Sequence, residues 1–182
     1  MTHLTGKTVA FLMTDGFEDS EFTEPWKAVT EHGAQAVLVS PKSGDLEGKK
    51  GHRQQVDRQV ADAVPEQFDA LVLPGGVVNG DDLRTDADSI EFVKGFFTQH
   101  KPVGVICHGS WILIEAGVVD GRTMTSWPSL RTDLLNAGAD WVDEEVVVDA
   151  GLVSSRKPDD LPAFCAKVVE EIAEGTHAEQ HA

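Results

Sequence analysis

Apolar residues in this chain come in short bursts set between polar, glycine-punctuated stretches. Residues 8–13, 36–40, 69–73 and 103–106 are apolar without alternation, which predicts strands buried on both faces. Between them the apolar spacing turns helical. It predicts a helix over 21–32 closed by Gly33, and another over 88–99 whose inner face carries Ile90, Phe92, Val93, Phe96 and Phe97. The Gly/Lys/Asp-rich stretch 41–53 reads as loop with a small hairpin around Gly51, and 56–60 as a short edge strand. Pro74-Gly75-Gly76 ends the 69–73 strand, and the following residues 77–82 read as loop. Residues 111–116 continue the 103–106 strand as a helix. Residues 128–136 form a further helix, with Ser126 as its cap and Gly138 just past its end. Residues 141–148 and 152–155 read as strands joined by a turn at 149–151. Asp159 or Asp160 starts the last helix, which runs to about 174 and leaves a polar tail over 175–182.

Strands alternating with helices imply an α/β fold, a mainly parallel, doubly wound sheet with helices on both faces. With 182 residues, 41% of them hydrophobic, the chain is long enough for one domain with a full core. The 31 acidic and 15 basic side chains give a formal net charge of -16, which argues against binding nucleic acid or an anionic membrane. No apolar run reaches the ~18 residues of a membrane span. Two distant cysteines without a secretory leader point to the cytoplasm.

Ligands of doubly wound sheets bind outside the carboxyl ends of the strands, and three features converge there. They are the loop 15–20, the Gly75-Gly76 turn, and Cys107-His108-Gly109 at the end of the 103–106 strand. A thiol at such a strand-to-helix turn faces a helix N-terminus, where unpaired N–H groups favour a thiolate over the ordinary thiol with its pKa near ~8.5. The backbone N–H groups of Gly76 and His108 are candidate oxyanion donors. Glu21 is the candidate acid. An ionised Glu21 would repel a thiolate, so its useful form is protonated, and that form requires burial. Glu18 and Asp19 read as charges that favour the helix N-terminus, and Cys165 as an inert core thiol. Neighbouring side chains diverge, so His108 serves first through its N–H, its imidazole acting as base only where a carboxylate orients it. The Cys/His/Glu spacing matches no usual zinc pattern, and Pro74-Gly75-Gly76 lacks the Lys-Ser or Lys-Thr of a phosphate loop, so no metal or cofactor is expected.

The segments Gly16-Phe17-Glu18-Asp19-Ser20-Glu21, Leu73-Pro74-Gly75-Gly76, Ile106-Cys107-His108-Gly109, Thr125-Ser126-Trp127-Pro128 and the run 136–149 together resemble the PfpI-type intracellular proteases of the ThiJ/PfpI superfamily. The resemblance covers roughly residues 6–174. It implies a flavodoxin-like three-layer sandwich related to class I glutamine amidotransferases, with Cys107 as nucleophile and Glu21 as its acidic partner. It also implies a homodimer or higher homo-oligomer in which a neighbouring subunit's carboxylate, from the loop after Pro-Gly-Gly, orients the histidine. Here that loop holds no glutamate, and Asp81 or Asp82 would take the role. Ser110 stands where the family usually has proline, and a serine there can cap the turn.

The function implied is a cysteine-dependent hydrolase, acting on peptides or, in the glyoxalase and deglycase manner, on small carbonyl compounds. The alternative is non-enzymatic: a stress-response chaperone, or a sensor in which Cys107 is oxidised. No His-x-Glu follows near 155–158, which argues against a glutamine amidotransferase.

Overall fold

The computed structural model describes residues 3–180. In chain order the elements are β1 (Thr8–Leu12), α1 (Asp19–Glu31), β2 (Gln35–Ser40), β3 (Asp45–Glu47), β4 (Arg53–Gln55), β5 (Arg58–Gln59) and β6 (Ala70–Leu73). There follow α2 (Val77–Leu83), α3 (Ala87–Thr98), β7 (Val103–Ile106), α4 (Ser110–Ala116), β8 (Thr123–Met124) and α5 (Arg131–Asn136). The chain closes with β9 (Asp140–Trp141), β10 (Val146–Asp149), β11 (Leu152–Ser155) and α6 (Leu161–Glu174).

The main sheet has the order β10-β11-β7-β6-β1-β2-β5, parallel throughout except for the β10–β11 hairpin at one edge. Alternate residues of each inner strand feed opposite faces. Leu71, Leu73, Val103 and Val105 pack under Phe92, Phe96 and Phe97 of α3 and Ile112 of α4. On the other face Val9, Phe11, Val72 and Ile106 pack under Phe22 and Val29 of α1 and Phe164, Val168 and Ile172 of α6. Each fully buried phenylalanine stabilises the fold by about 1.5–3 kcal/mol. The result is the expected three-layer, flavodoxin-like α/β arrangement. Its strand order reverses between β1, which leads on to β2, and β6 on its other side, which opens a crevice at their carboxyl ends.

Several elements differ from the sequence-based expectation. Residues 77–82, read as loop, form α2, which starts where Gly76 turns the chain at φ 99°. The expected strand 141–148 is two strands: β9 pairs with the unforeseen β8, and β10 pairs with β11 through a turn with Ala150 at φ 46° and Gly151 at φ 85°. Both positive φ values suit the two-residue turn that matches strand twist. Ser126 is no helix cap: its hydroxyl donates to the Trp127 carbonyl and accepts from the Trp141 indole N–H. The tail is not loose where it is described. His177 N–H donates to the His100 carbonyl at 2.8 Å, and Gln180, fully buried, accepts from His100 through its own carbonyl. Met1, Thr2 and the end of the expected tail, His181 and Ala182, lie outside the described residues.

Candidate active site

Cys107 follows β7 on a single turn, residues Cys107–Gly109, before α4 begins. It adopts φ 61°, a left-handed conformation that L-residues with a side chain rarely hold. Strain of this kind persists where the surroundings enforce it, and they do so here. A Cβ on Gly109 would come within 2.8 Å of the Leu73 carbonyl, and one on Gly75 within 2.7 Å of the Cys107 Cβ, so the turns after β6 and β7 touch through their glycines.

That bend corrects one expectation. The His108 side chain does not diverge from the thiol, because the left-handed residue swings it back and places Nδ1 3.2 Å from Sγ. The imidazole lies edge-on to Trp111, with centroids 5.0 Å apart, and stacks on Trp127 at 5.8 Å. Burial, reinforced by the Lys49 charge, holds His108 below its ordinary pKa, so it is neutral at neutral pH and able to accept a proton.

Glu21 lies in the first turn of α1 and is 0% exposed. Its Oε2 accepts the Gly75 N–H at 2.9 Å, and the carboxyl lies close enough to the Cys107 thiol for each to shift the other's proton affinity. Burial pushes its pKa from 4.5 up to about 8, and the nearby Glu18 charge adds to the rise. Glu21 therefore carries a proton at neutral pH.

The thiol, 6% exposed, is pulled both ways. Burial pushes its pKa up and an ionised Glu21 pushes it further, whereas the backbone N–H groups of His108 and Gly76 reach the sulfur and favour the thiolate. The sequence reading expected position at a helix start to activate Cys107 in part, and the N–H groups do act that way, but burial outweighs them. Burial is the largest cause and the net shift is upward, and a protonated Glu21 removes the repulsion that adds to it.

The remaining candidates fall elsewhere. Asp81 and Asp82 are exposed on α2, and Asp82 borders a separate depression with Thr14 and Lys42. Asp19 acts beyond the helix start: its carboxylate accepts the N–H groups of Lys50 and His52, each at 2.8 Å, and docks the tip of the β3–β4 hairpin. Glu18 pairs with Lys50 at 2.7 Å and Lys49 at 3.5 Å. Ser110 does not cap its turn, since its buried hydroxyl has no hydrogen-bond partner among the described residues. Cys165 is half-buried between α1 and α6, not in the core, and burial with the Glu24 charge pushes its thiol up to about 12.

Sequence reasoning missed Asn79. Fully buried in α2, it donates to the Pro74 and Gly75 carbonyls at 3.1 Å each and accepts the Thr14 N–H at 2.7 Å. One amide thereby ties the ends of β1 and β6 together around the site. An asparagine following two valines was the available signal, and it needed α2 to be recognised. Also missed were Trp127, Lys49 and Lys50, which with Glu18, Glu21, Gly76 and Cys107 line a cleft of about 370 Å³. Among the described residues no helix is long and apolar enough to cross a membrane.

The DJ-1/PfpI family pattern matches residues 7–171. Among curated proteins, a deglycase from Pyrococcus abyssi is 44% identical over 162 residues, 89% of this chain and 97% of the deglycase. General stress protein 18 from Bacillus subtilis is 47% identical over 162 residues, 87% of this chain and 94% of its own. Among solved structures, a two-domain protein from Anabaena variabilis with DJ-1/ThiJ/PfpI-like and ferritin-like domains matches with TM-score 0.89 and 34% identity. The match covers 91% of this chain and 48% of that one, so this chain spans about half of the two-domain protein. A match from β1 into α6, carried by relatives similar along nearly their whole length, means that this chain belongs to the DJ-1/PfpI family.

Proposed function

We propose that this chain is a cysteine-dependent hydrolase of the deglycase and peptidase type, with Cys107 as nucleophile. The observation that carries the reading is the convergence on one buried sulfur of His108 Nδ1 at 3.2 Å, the N–H groups of His108 and Gly76, and the protonated Glu21. The name of the Pyrococcus relative, a deglycase, supports the same class.

In this mechanism His108 accepts the thiol proton and the sulfur adds to a carbonyl carbon. The displaced π pair settles on oxygen, held by the Gly76 and His108 N–H groups, and Glu21 is placed to deliver or take a proton beside it. Addition to an aldehyde gives a thiohemiacetal. Addition to an amide gives a tetrahedral intermediate that expels the amine and leaves a thioester for water to hydrolyse. The chain works in the cytoplasm as a homo-oligomer, in which Asp81 or Asp82 is offered to His108 across the interface. Both sit on α2, whose Gly80 packs against the His108 carbonyl.

The test is turnover of a methylglyoxal-glycated peptide and of a fluorogenic peptide by the wild type and Cys107→Ser. Turnover of at least one, lost in the variant, is expected. Equal rates for the two proteins on both substrates would refute the proposal and favour the sensor or chaperone alternative.

A further inference from the structure

The β3–β4 hairpin carries Lys49 and Lys50 to the wall of the Cys107 cleft and holds them there. The Lys50 and His52 N–H groups are fixed on the Asp19 carboxylate, and the Lys49 N–H donates to the Phe17 carbonyl at 2.8 Å. Gly48 allows the approach, since a Cβ there would come within 2.7 Å of an Asp19 oxygen. The tip is therefore docked on the first turn of α1, while the lysine side chains stay 65% and 64% exposed.

Among the groups that line this mouth, charge does not cancel. Both ammonium groups lean on one carboxylate, Glu18, whose side chain is only 10% exposed. Within the cleft lining Glu21 is neutral while it keeps its proton and His108 is neutral through burial, so neither offsets the second lysine; Asp19, which lies outside that lining and is held on the Lys50 and His52 N–H groups, acts on Lys50 from there. A chain of net charge -16 thus sets two ammonium groups against one ionised carboxylate along the lining of this cleft. The Lys49 field extends inward, lowering the proton affinity of both Glu21 and His108.

We propose that Lys49 and Lys50 form a carboxylate-recognising subsite, which makes the cleft prefer carbonyl substrates that carry a carboxylate beside the reactive carbon. The proposal rests on Cys107 being the nucleophile. Both ammonium groups sit on flexible stems and can turn from Glu18 toward an incoming anion.

Two alkylating reagents with the same reactive carbon test it, iodoacetate being anionic and iodoacetamide neutral. In each reaction sulfur bonds to the methylene carbon and iodide leaves with the electron pair. Rates at Cys107 are read by mass spectrometry on the full chain carrying Cys165→Ser, at neutral pH and low salt. The iodoacetate-to-iodoacetamide ratio cancels any change in thiolate fraction. It is expected to exceed that of glutathione, to fall about 3- to 10-fold in Lys49→Gln/Lys50→Gln, and to rise in Glu18→Gln. Each single lysine variant should show part of the fall, and about 0.5 M salt should remove the preference. An unchanged ratio in the double variant, with iodoacetamide still reacting, overturns the subsite and leaves the nucleophile standing. No alkylation of native Cys107 by either reagent overturns both.

Discussion

Glu21 holds a proton that an ordinary glutamate would have lost, and that proton ties stability to pH. Burial moves its pKa from 4.5 to about 8 in the fold. Because the folded value is the higher one, the contribution is fully present below the unfolded pKa and is lost as pH rises to about 8, at about 1.36 kcal/mol per unit. Over the whole window the loss is on the order of 5 kcal/mol, a large share of the 5–15 kcal/mol typical of a domain. Glu21→Gln has no proton to lose. Its amide keeps an acceptor for the Gly75 N–H and a donor toward the Cys107 sulfur, so the packing is preserved. Urea unfolding of both proteins at pH 5, 6, 7 and 8 should show the variant gaining on the wild type at each step, by several kcal/mol in all. Staying below the ordinary thiol range keeps Cys107 titration in the unfolded chain out of the comparison. Parallel stability curves would mean that Glu21 ionises in the fold as it does in the open chain, and the coupled acid–thiol pair would have to be abandoned.

Two further outcomes probe the same geometry. Gly75→Ala would put a Cβ 2.2 Å from the Glu21 carboxylate, 2.7 Å from the Cys107 Cβ and 2.9 Å from the Ile106 carbonyl. The carboxylate can swing but the backbone cannot, so the variant should lose about 1–3 kcal/mol in chemical denaturation and most of its iodoacetamide reactivity at Cys107. Full stability would show that the turns have room to separate. Trp127→Ala uncovers the stacked face of His108, and because burial is what depresses that imidazole, its pKa should move up toward the ordinary 6.5. A proton NMR titration of the His108 ring reads the shift directly, and a pKa that stays put would assign the depression to the Lys49 charge instead.

Unalternating apolar runs identified β1, β2, β6 and β7, because strands covered on both faces leave no polar position. The crevice followed, since doubly wound sheets bind at a strand-order reversal and Cys107, Gly75 and Glu21 each lie near a strand end. Elements fixed by tertiary contact were illegible. The segment 77–83 looks like loop until Asn79 is seen bridging Thr14 to the Pro74-Gly75 turn, contacts 65 and 5 residues away in sequence. β8 and β9, two residues each, exist only by pairing with one another.

The His108 misreading has a more instructive cause. The rule that adjacent side chains diverge assumes ordinary backbone, and a left-handed φ at Cys107 breaks the assumption. No residue type at position 107 announces that φ, because glycine would be the usual signal and a cysteine stands there. The distortion is instead written in the neighbours, where Gly75 and Gly109 let the two turns close on each other and leave Cys107 no relaxed conformation. The same closure that strains Cys107 also buries Glu21 against Gly75, so the bend that brings the imidazole to the sulfur and the burial that keeps the carboxyl protonated have one origin. Loosening either glycine contact should therefore disturb both proton carriers together, a coupling that separate substitutions of His108 and Glu21 would not reproduce.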